Sequence, residues 1–216
     1  MIEQILFIPI LLLSIIIHEC AHGYAALRAG DPTAKLYGRL TLNPIPHIDL
    51  VGSIILPAFL ILTNSSFLFG WAKPVPVNPN YFRKPRRDEI IVSAAGPLSN
   101  IVLSLIFLGL TIIGIAWFNT TDLPYASVDK FFLMLRQAIL INLVLAFFNL
   151  IPIPPLDGSH ILANLLPPHW AEMYDKIRPF GFIILIVIIA SPLIEIAYIP
   201  VRIMWLIYQA IMRLFL

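Results

Sequence analysis

The sequence contains a single cysteine, Cys20, so no disulfide can form within the chain. It is also poor in charge: 12% of its 216 residues are charged against 59% hydrophobic, with a mean hydropathy of +0.89. So few charges cannot cover a soluble surface around so much apolar material, which points to an integral membrane protein. The formal net charge is only +2 and no long basic tract exists, so no nucleic-acid partner is expected. There is no internal repeat, no low-complexity tract and no separate soluble domain; residues 1–216 read as one membrane domain. Met1-Ile2-Glu3 brings no basic n-region, and no small-x-small cleavage site precedes residue 18. The first apolar run is therefore expected to stay as a span rather than to leave as a signal peptide.

What is there is a series of long apolar runs separated by proline. The first predicts a helix over 2–28, closed by Ala29-Gly30-Asp31-Pro32. Residues 31–49 form a polar connection, and a second apolar run covers 50–69 with Pro57 inside it. In Gly70-Trp71-Ala72-Lys73-Pro74-Val75-Pro76-Val77 prolines alternate with valines, which predicts extended backbone. A basic cluster at 79–87 leads into a helix over 88–118. A further helix over 130–151 ends in Asn149-Leu150-Ile151-Pro152-Ile153-Pro154-Pro155-Leu156-Asp157-Gly158, where the prolines must break it. A short helix is expected over 159–166, a polar connection over 167–179, and helices over 180–199 and 201–216. The last is short for a span and either crosses or lies in the interface. The expected fold class is an all-α polytopic membrane protein of about five to six apolar helices, with a re-entrant or extended membrane-embedded segment over 50–80.

The chemistry is concentrated in His18-Glu19-Cys20-Ala21-His22, an HExxH pattern. A shuffled chain of this composition would contain it about 0.003 times, so chance is a poor explanation. On a helix, His18 and His22 lie one turn apart on one face and can converge on a zinc ion. Glu19 is placed to take a proton from a water activated there, which makes the pattern a hydrolase signature. His18 would sit roughly 24 Å along a helix of about 40 Å, inside the bilayer. Cys20 points away from that face and is expected to pack.

A catalytic zinc site takes three protein ligands, so HExxH needs another. Asp157 is the leading candidate: it follows a broken helix at membrane depth, where irregular backbone is tolerated mainly beside a cavity. If Asp157 meets the two histidines, the ends of the 2–28 and 130–151 helices lie on one membrane side, and 50–80 makes no net crossing. Charge gives the same answer. Arg28, Lys35 and Arg39 precede the 50–69 run, while Lys73, Arg83, Lys84, Arg86 and Arg87 follow it. With Lys176 and Arg178 they place ten of the 14 basic residues on one face, the cytoplasmic one by the positive-inside rule.

HECAH at 18–22, AAGPLSN at 94–100 and NLIPIPPLDG at 149–158 together resemble the site-2 proteases, intramembrane zinc metalloproteases. NPIPHID at 43–49 and GWAKPVPVN at 70–78 resemble the compact branch that has neither PDZ nor CBS domains. The resemblance implies His18, His22 and Asp157 as zinc ligands and Glu19 as general base. It further implies a role for Asn149 in positioning substrate or stabilising the oxyanion, and an unwound transmembrane protein segment as substrate. It implies a multi-pass location in a bacterial or archaeal cell membrane, with the lipid bilayer as environment and the site towards the cytoplasm. Many relatives carry Gly-Arg where this chain has Ser159-His160, so His160 is expected to support the site from behind the ligands or to serve as an alternative ligand. For His47 and Asp49 a capping or supporting role is expected, and for His169, beside Trp170, an interfacial one. The competing reading, a divalent-metal transporter with His18, His22 and Asp157 as a transit site, would want a ladder of further ligands, and the remaining ionisable residues form none.

Overall fold

The computed structural model describes residues 2–63, 72–118, 120 and 125–215. Among these residues there is no strand. The α-helices are α1 (Ile2–Ala29), α2 (Thr33–Leu36), α3 (Leu56–Leu62), α4 (Pro85–Phe118), α5 (Tyr125–Asn149), α6 (Asp157–Leu165), α7 (Pro168–Asp175), α8 (Gly181–Ile189), α9 (Leu193–Ala197) and α10 (Ile199–Met212). Among the described residues, three stretches are long and apolar enough to cross a membrane: Ile8–Ala29, Pro85–Phe118 and Val128–Asn149. In a bilayer a helix satisfies its own backbone polar groups, which is why apolar runs of this length settle as helices.

α4 is the central element, packed against α1, α5 and α6. His22 meets Val92 and His18 meets Asn100, so α1 and α4 run antiparallel. Asn100 meets Asn142 while Gly114 faces Phe131, so α4 and α5 are antiparallel too. The C-terminal ends of α1 and α5 and the N-terminal end of α4 thus share one end of the bundle. Between α1 and α4 the chain leaves and returns at that end, where Arg83 N–H donates to Ala29 O at 3.2 Å.

This excursion contains a π-helical turn, Leu50–Ile55, leading into α3. Asp49 caps the turn, its Oδ1 accepting from Val51 N–H at 3.1 Å and Gly52 N–H at 2.7 Å. Residues 72–78 follow without helical structure, in line with their prolines. Much of the turn expected between these halves falls on 64–71, outside the described residues. The stretch 72–78 is tied to its surroundings at several points. Lys73 N–H donates to His47 O at 2.8 Å, the buried Arg39 guanidinium donates to Lys73 O at 2.7 Å and to Pro74 O at 3.2 Å, and Asn78 N–H donates to the buried Asp31 Oδ2 at 2.7 Å.

Several boundaries differ from expectation. α4 begins at Pro85 rather than 88, because proline suits a first helical position and Asp88 Oδ2 accepts from Lys84 N–H at 2.8 Å; Arg86 and Arg87 therefore stand in its first turn. α5 runs Tyr125–Asn149 instead of 130–151. The connection at 167–179 contains α7, started by Pro168. The helix expected over 180–199 is two pieces, α8 and α9, separated where Pro192 can neither continue the hydrogen-bond ladder nor avoid the preceding turn. α8 is 9 residues long, about 14 Å, well short of a bilayer. In place of 201–216, α10 spans Ile199–Met212, roughly 21 Å over 14 residues. It packs on α4 and α5 through Val201 and Tyr208, which join Leu108, Ile139 and Leu143 in a buried apolar cluster.

Candidate metal centre

α1 brings His18 and His22 to the face packed on α4, and the chain beyond α5 delivers Asp157 to the same point. Asp157 is the first residue of α6 rather than part of the broken stretch, and the short helix is Asp157–Leu165 rather than 159–166. Gly158 explains how the break folds back so tightly: a Cβ there would lie 2.2 Å from Leu150 O and 2.6 Å from Ile151 O. Only a residue without a side chain lets the loop pass over the start of α6 and hold Asp157 in place.

Three ligand atoms converge. His18 Nε2 and His22 Nε2 are 3.0 Å apart, and Asp157 Oδ2 lies 3.2 Å from the first and 3.3 Å from the second. Tetrahedral zinc with bonds of about 2.0–2.1 Å separates neighbouring ligands by roughly 3.3 Å, so this triangle is close to one face of such a tetrahedron.

The protonation pattern agrees. His22 Nδ1 lies 2.7 Å from Val92 O, and a carbonyl can only accept, so Nδ1 carries the proton and Nε2 offers a lone pair. His18 Nδ1 lies 2.6 Å from Asn100 Oδ1. The amide of Asn100 is fixed in that sense because its Nδ2 donates to Asn142 Oδ1 at 2.8 Å and to Ser14 O at 3.3 Å. Asn142 Nδ2 in turn donates to Ser14 Oγ and to Ala138 O, each at 2.9 Å. In their neutral form both histidines thus aim unprotonated Nε2 atoms at a buried carboxylate oxygen that then has no hydrogen-bond donor among the described residues. Three lone pairs facing one another repel unless a cation sits among them, and two imidazoles with one carboxylate are a donor set that suits zinc.

Gly96 makes room for the group. A Cβ there would stand 2.3 Å from His22 Nε2 and 2.6 Å from His18 Nε2, inside the space between the ligands. Among the described residues, His18, His22 and Asp157 are the one cluster of three or more His, Cys, Asp or Glu that could hold a metal ion.

Glu19 flanks this cluster. Its Oε2 accepts from Val75 N–H at 2.8 Å, so the extended stretch 72–78 anchors it, and Oε1 has no protein donor among the described residues. Gly23, one turn on, lets that stretch approach: a Cβ would meet Val75 Cγ1 at 2.9 Å and Leu40 Cδ2 at 2.5 Å.

The remaining candidates fall away from the three ligands. Cys20 is buried with its thiol 3.2 Å from Thr41 O, so it packs beneath the 39–41 turn. His160 pairs with Glu89 of α4 at 3.2 Å, and its ring takes no place in the cluster. His47 is fully buried and donates from Nε2 to Thr41 O at 2.8 Å, while Asp49 serves as the cap. His169 is exposed beside Trp170. Asn149 is the last residue of α5, half-buried, with its amide nitrogen donating to Leu145 O at 2.9 Å. Sequence reasoning did not single out Ser14, Asn142 or the Val92 carbonyl, and it used Asn100 only as the last residue of the AAGPLSN stretch at 94–100. The available signal was amide and hydroxyl side chains inside otherwise apolar runs, with Ser14 one turn before His18.

Residues 111–190 match peptidase family M50, a segment that includes Asp157. YwhC of Bacillus subtilis, a candidate zinc metalloprotease by name, is 42% identical over 184 residues, 85% of this chain and 79% of that protein. The chain belongs to peptidase family M50. Rip2 of Mycolicibacterium smegmatis, named in the same way, is 32% identical over 181 residues, covering 84% of this M50 chain and 65% of that protein. MJ0392 of Methanocaldococcus jannaschii, a zinc metalloprotease by name, is 25% identical over 162 residues, 75% of the chain and 34% of that protein. No solved structure matches this M50 member.

Proposed function

We propose that this chain is an intramembrane zinc metalloprotease that hydrolyses a peptide bond in or near the membrane-spanning segment of another membrane protein. The observation that carries the reading is the convergence of His18 Nε2, His22 Nε2 and Asp157 Oδ2 beside Glu19, on helices apolar enough to lie in a bilayer.

His18, His22 and Asp157 would hold the metal, which when bound supplies a Lewis acid that polarises the scissile carbonyl and acidifies water. Glu19 accepts the proton of the attacking water and returns it to the leaving amine. The Val75 N–H holds one of its carboxylate oxygens and leaves Oε1 free for the transfer. Asn100 and the Val92 carbonyl keep the two imidazoles in the tautomer that leaves both Nε2 atoms unprotonated. Asn149, at the end of α5, is assigned to substrate positioning through its amide oxygen or to the oxyanion through its amide N–H.

A helical peptide bond is shielded by its own hydrogen bonds, so the substrate must unwind before cleavage. The extended stretch 72–78 lies against Glu19 and suits pairing with an unwound backbone. Pro74 and Pro76 have no N–H and that of Val75 is already used, so the pairing runs through carbonyls. In this reading the excursion between α1 and α4 re-enters the membrane without crossing it. The metal end of the bundle, where the basic residues collect, faces the cytoplasm of a bacterial or archaeal cell, with water entering from that side.

The test is the full chain reconstituted in vesicles with transmembrane peptide substrates, followed by mass spectrometry of the fragments and elemental analysis for zinc. Glu19→Gln is expected to cut cleavage by about 10²–10⁴-fold while zinc content stays at the wild-type level. Equal cleavage by Glu19→Gln would remove Glu19 as the base, and absence of stoichiometric zinc in the wild type would remove the metal.

A further inference from the structure

At the end of the bundle away from the candidate metal site, α4, α5 and α10 line an open cavity of about 420 Å³. Its walls combine Thr111, Trp205 and Gln209 with two guanidinium groups, Arg136 and Arg213. The Arg136 guanidinium carbon lies 5.7 Å from the centre of the Trp205 ring, which orients it without neutralising it. Both arginines are exposed, and among the described residues neither has a carboxylate partner; Arg202, on α10, which Arg213 follows, is paired with Glu195.

The placement of this charge is unusual. Ten of the 14 basic residues collect at the metal end, so these two stand against the trend. Arg136 is eight residues into the candidate span Val128–Asn149, about 12 Å along it. A charged side chain at such a depth calls for a local counter-ion. Beside these residues in the chain, α5 and α10 expose Met134, Leu206 and Ile207, surfaces suited to acyl chains. A ligand with an anionic head and apolar tails satisfies both kinds of surface, and guanidinium groups match phosphate oxygens in geometry as well as charge.

We propose that this cavity binds the anionic phosphate head group of a phospholipid in the leaflet facing away from the metal centre. The proposal rests on the chain spanning a bilayer and not on its peptidase activity. Lipid binding is read independently of cleavage, so the two readings fail separately.

The experiment reconstitutes the full chain in phosphatidylcholine vesicles doped with brominated phosphatidylglycerol and follows quenching of tryptophan fluorescence. Subtracting the signal of Trp205→Phe isolates Trp205. The wild type is expected to prefer phosphatidylglycerol over brominated phosphatidylcholine by about fivefold for each guanidinium engaged. R213Q, which keeps the contact between Arg136 and Trp205, should lose part of that preference, and R136Q/R213Q should lose all of it. Unchanged zinc content in both variants shows that the bundle is intact. A wild type without preference, or a preference that survives in R136Q/R213Q, overturns the proposal. Displacement by excess inorganic phosphate would reassign the site to a soluble anion. Displacement by an acidic transmembrane peptide where phosphatidylglycerol shows no preference would reassign it to a protein.

Discussion

Towards α1, the α4–α5 pair presents Asn100 and Asn142, both fully buried and hydrogen-bonded to each other and to Ser14. Towards α10 the same pair presents Leu108, Ile139 and Leu143, which meet Val201 and Tyr208 in an apolar cluster. A polar contact on that side joins Ser104 and the Tyr208 hydroxyl, at 3.0 Å. Lipid tails are as apolar as leucine, so apolar contact between helices fixes position only through close packing. Directed hydrogen bonds fix rotation and depth as well, because a buried amide left unpaired in hydrocarbon is costly. The polar face lies behind the candidate ligands His18 and His22, where an error of a fraction of an ångström would spoil their convergence with Asp157. The apolar face supports the bundle where tolerance is wider.

The contrast can be broken by changing one face at a time. Gly96→Ala has the largest expected effect, since the new methyl would occupy the space between the two Nε2 atoms. Bound zinc should fall to near zero by elemental analysis, with cleavage reduced at least about a hundredfold; full zinc occupancy in this variant would show the ligand triangle to be far more pliable than its contacts imply. Asn100→Leu comes next. It strips His18 Nδ1–H of its acceptor, and zinc affinity measured by chelator competition should weaken by about 10–100-fold. Asn142→Leu acts one bond further away and leaves Asn100 its contact with the Ser14 carbonyl. A several-fold loss of affinity is expected, with a stability loss of about 1 kcal/mol in detergent unfolding. Leu143→Ala, on the apolar face, should lower stability by about 2 kcal/mol and leave zinc affinity unchanged. A change in zinc affinity from Leu143→Ala as large as that from Asn100→Leu would dissolve the distinction between the faces.

Much of the site was legible because its parts obey local rules. The one-turn spacing of His18 and His22 is a property of any helix, and the proline run before Asp157 announced irregular backbone at depth. The same-side argument drawn from Arg28 and Arg83–Arg87 agrees with the bundle, in which Ala29 and Arg83 are neighbours. The partners of the ligands were hidden for a different reason. Asn142 looks like any amide inside an apolar run until α4 arrives beside it, and the Val92 carbonyl has no side-chain signature at all. It accepts from His22 because of where α1 and α4 cross, which only tertiary packing decides. The break of 180–199 was written in Pro192, but an apolar run on both sides outweighed it in the reading.

The hydrogen bond from Arg83 N–H to Ala29 O draws the intervening chain together like the neck of a purse. The hydrogen bonds that join Ser14, His18, Asn100 and Asn142 lie outside the neck, on α1, α4 and α5. Doubling the length of a closed loop costs only about 0.6 kcal/mol in closure entropy, so the purse can grow or shrink while its neck stays tied. Yet it is from within this purse that Val75 reaches Glu19. In the proposed reading, insertions and deletions there would alter what is admitted to Glu19 while the residues proposed to hold the metal stay in place, which makes this excursion the natural place for a chain of this design to acquire a new preference.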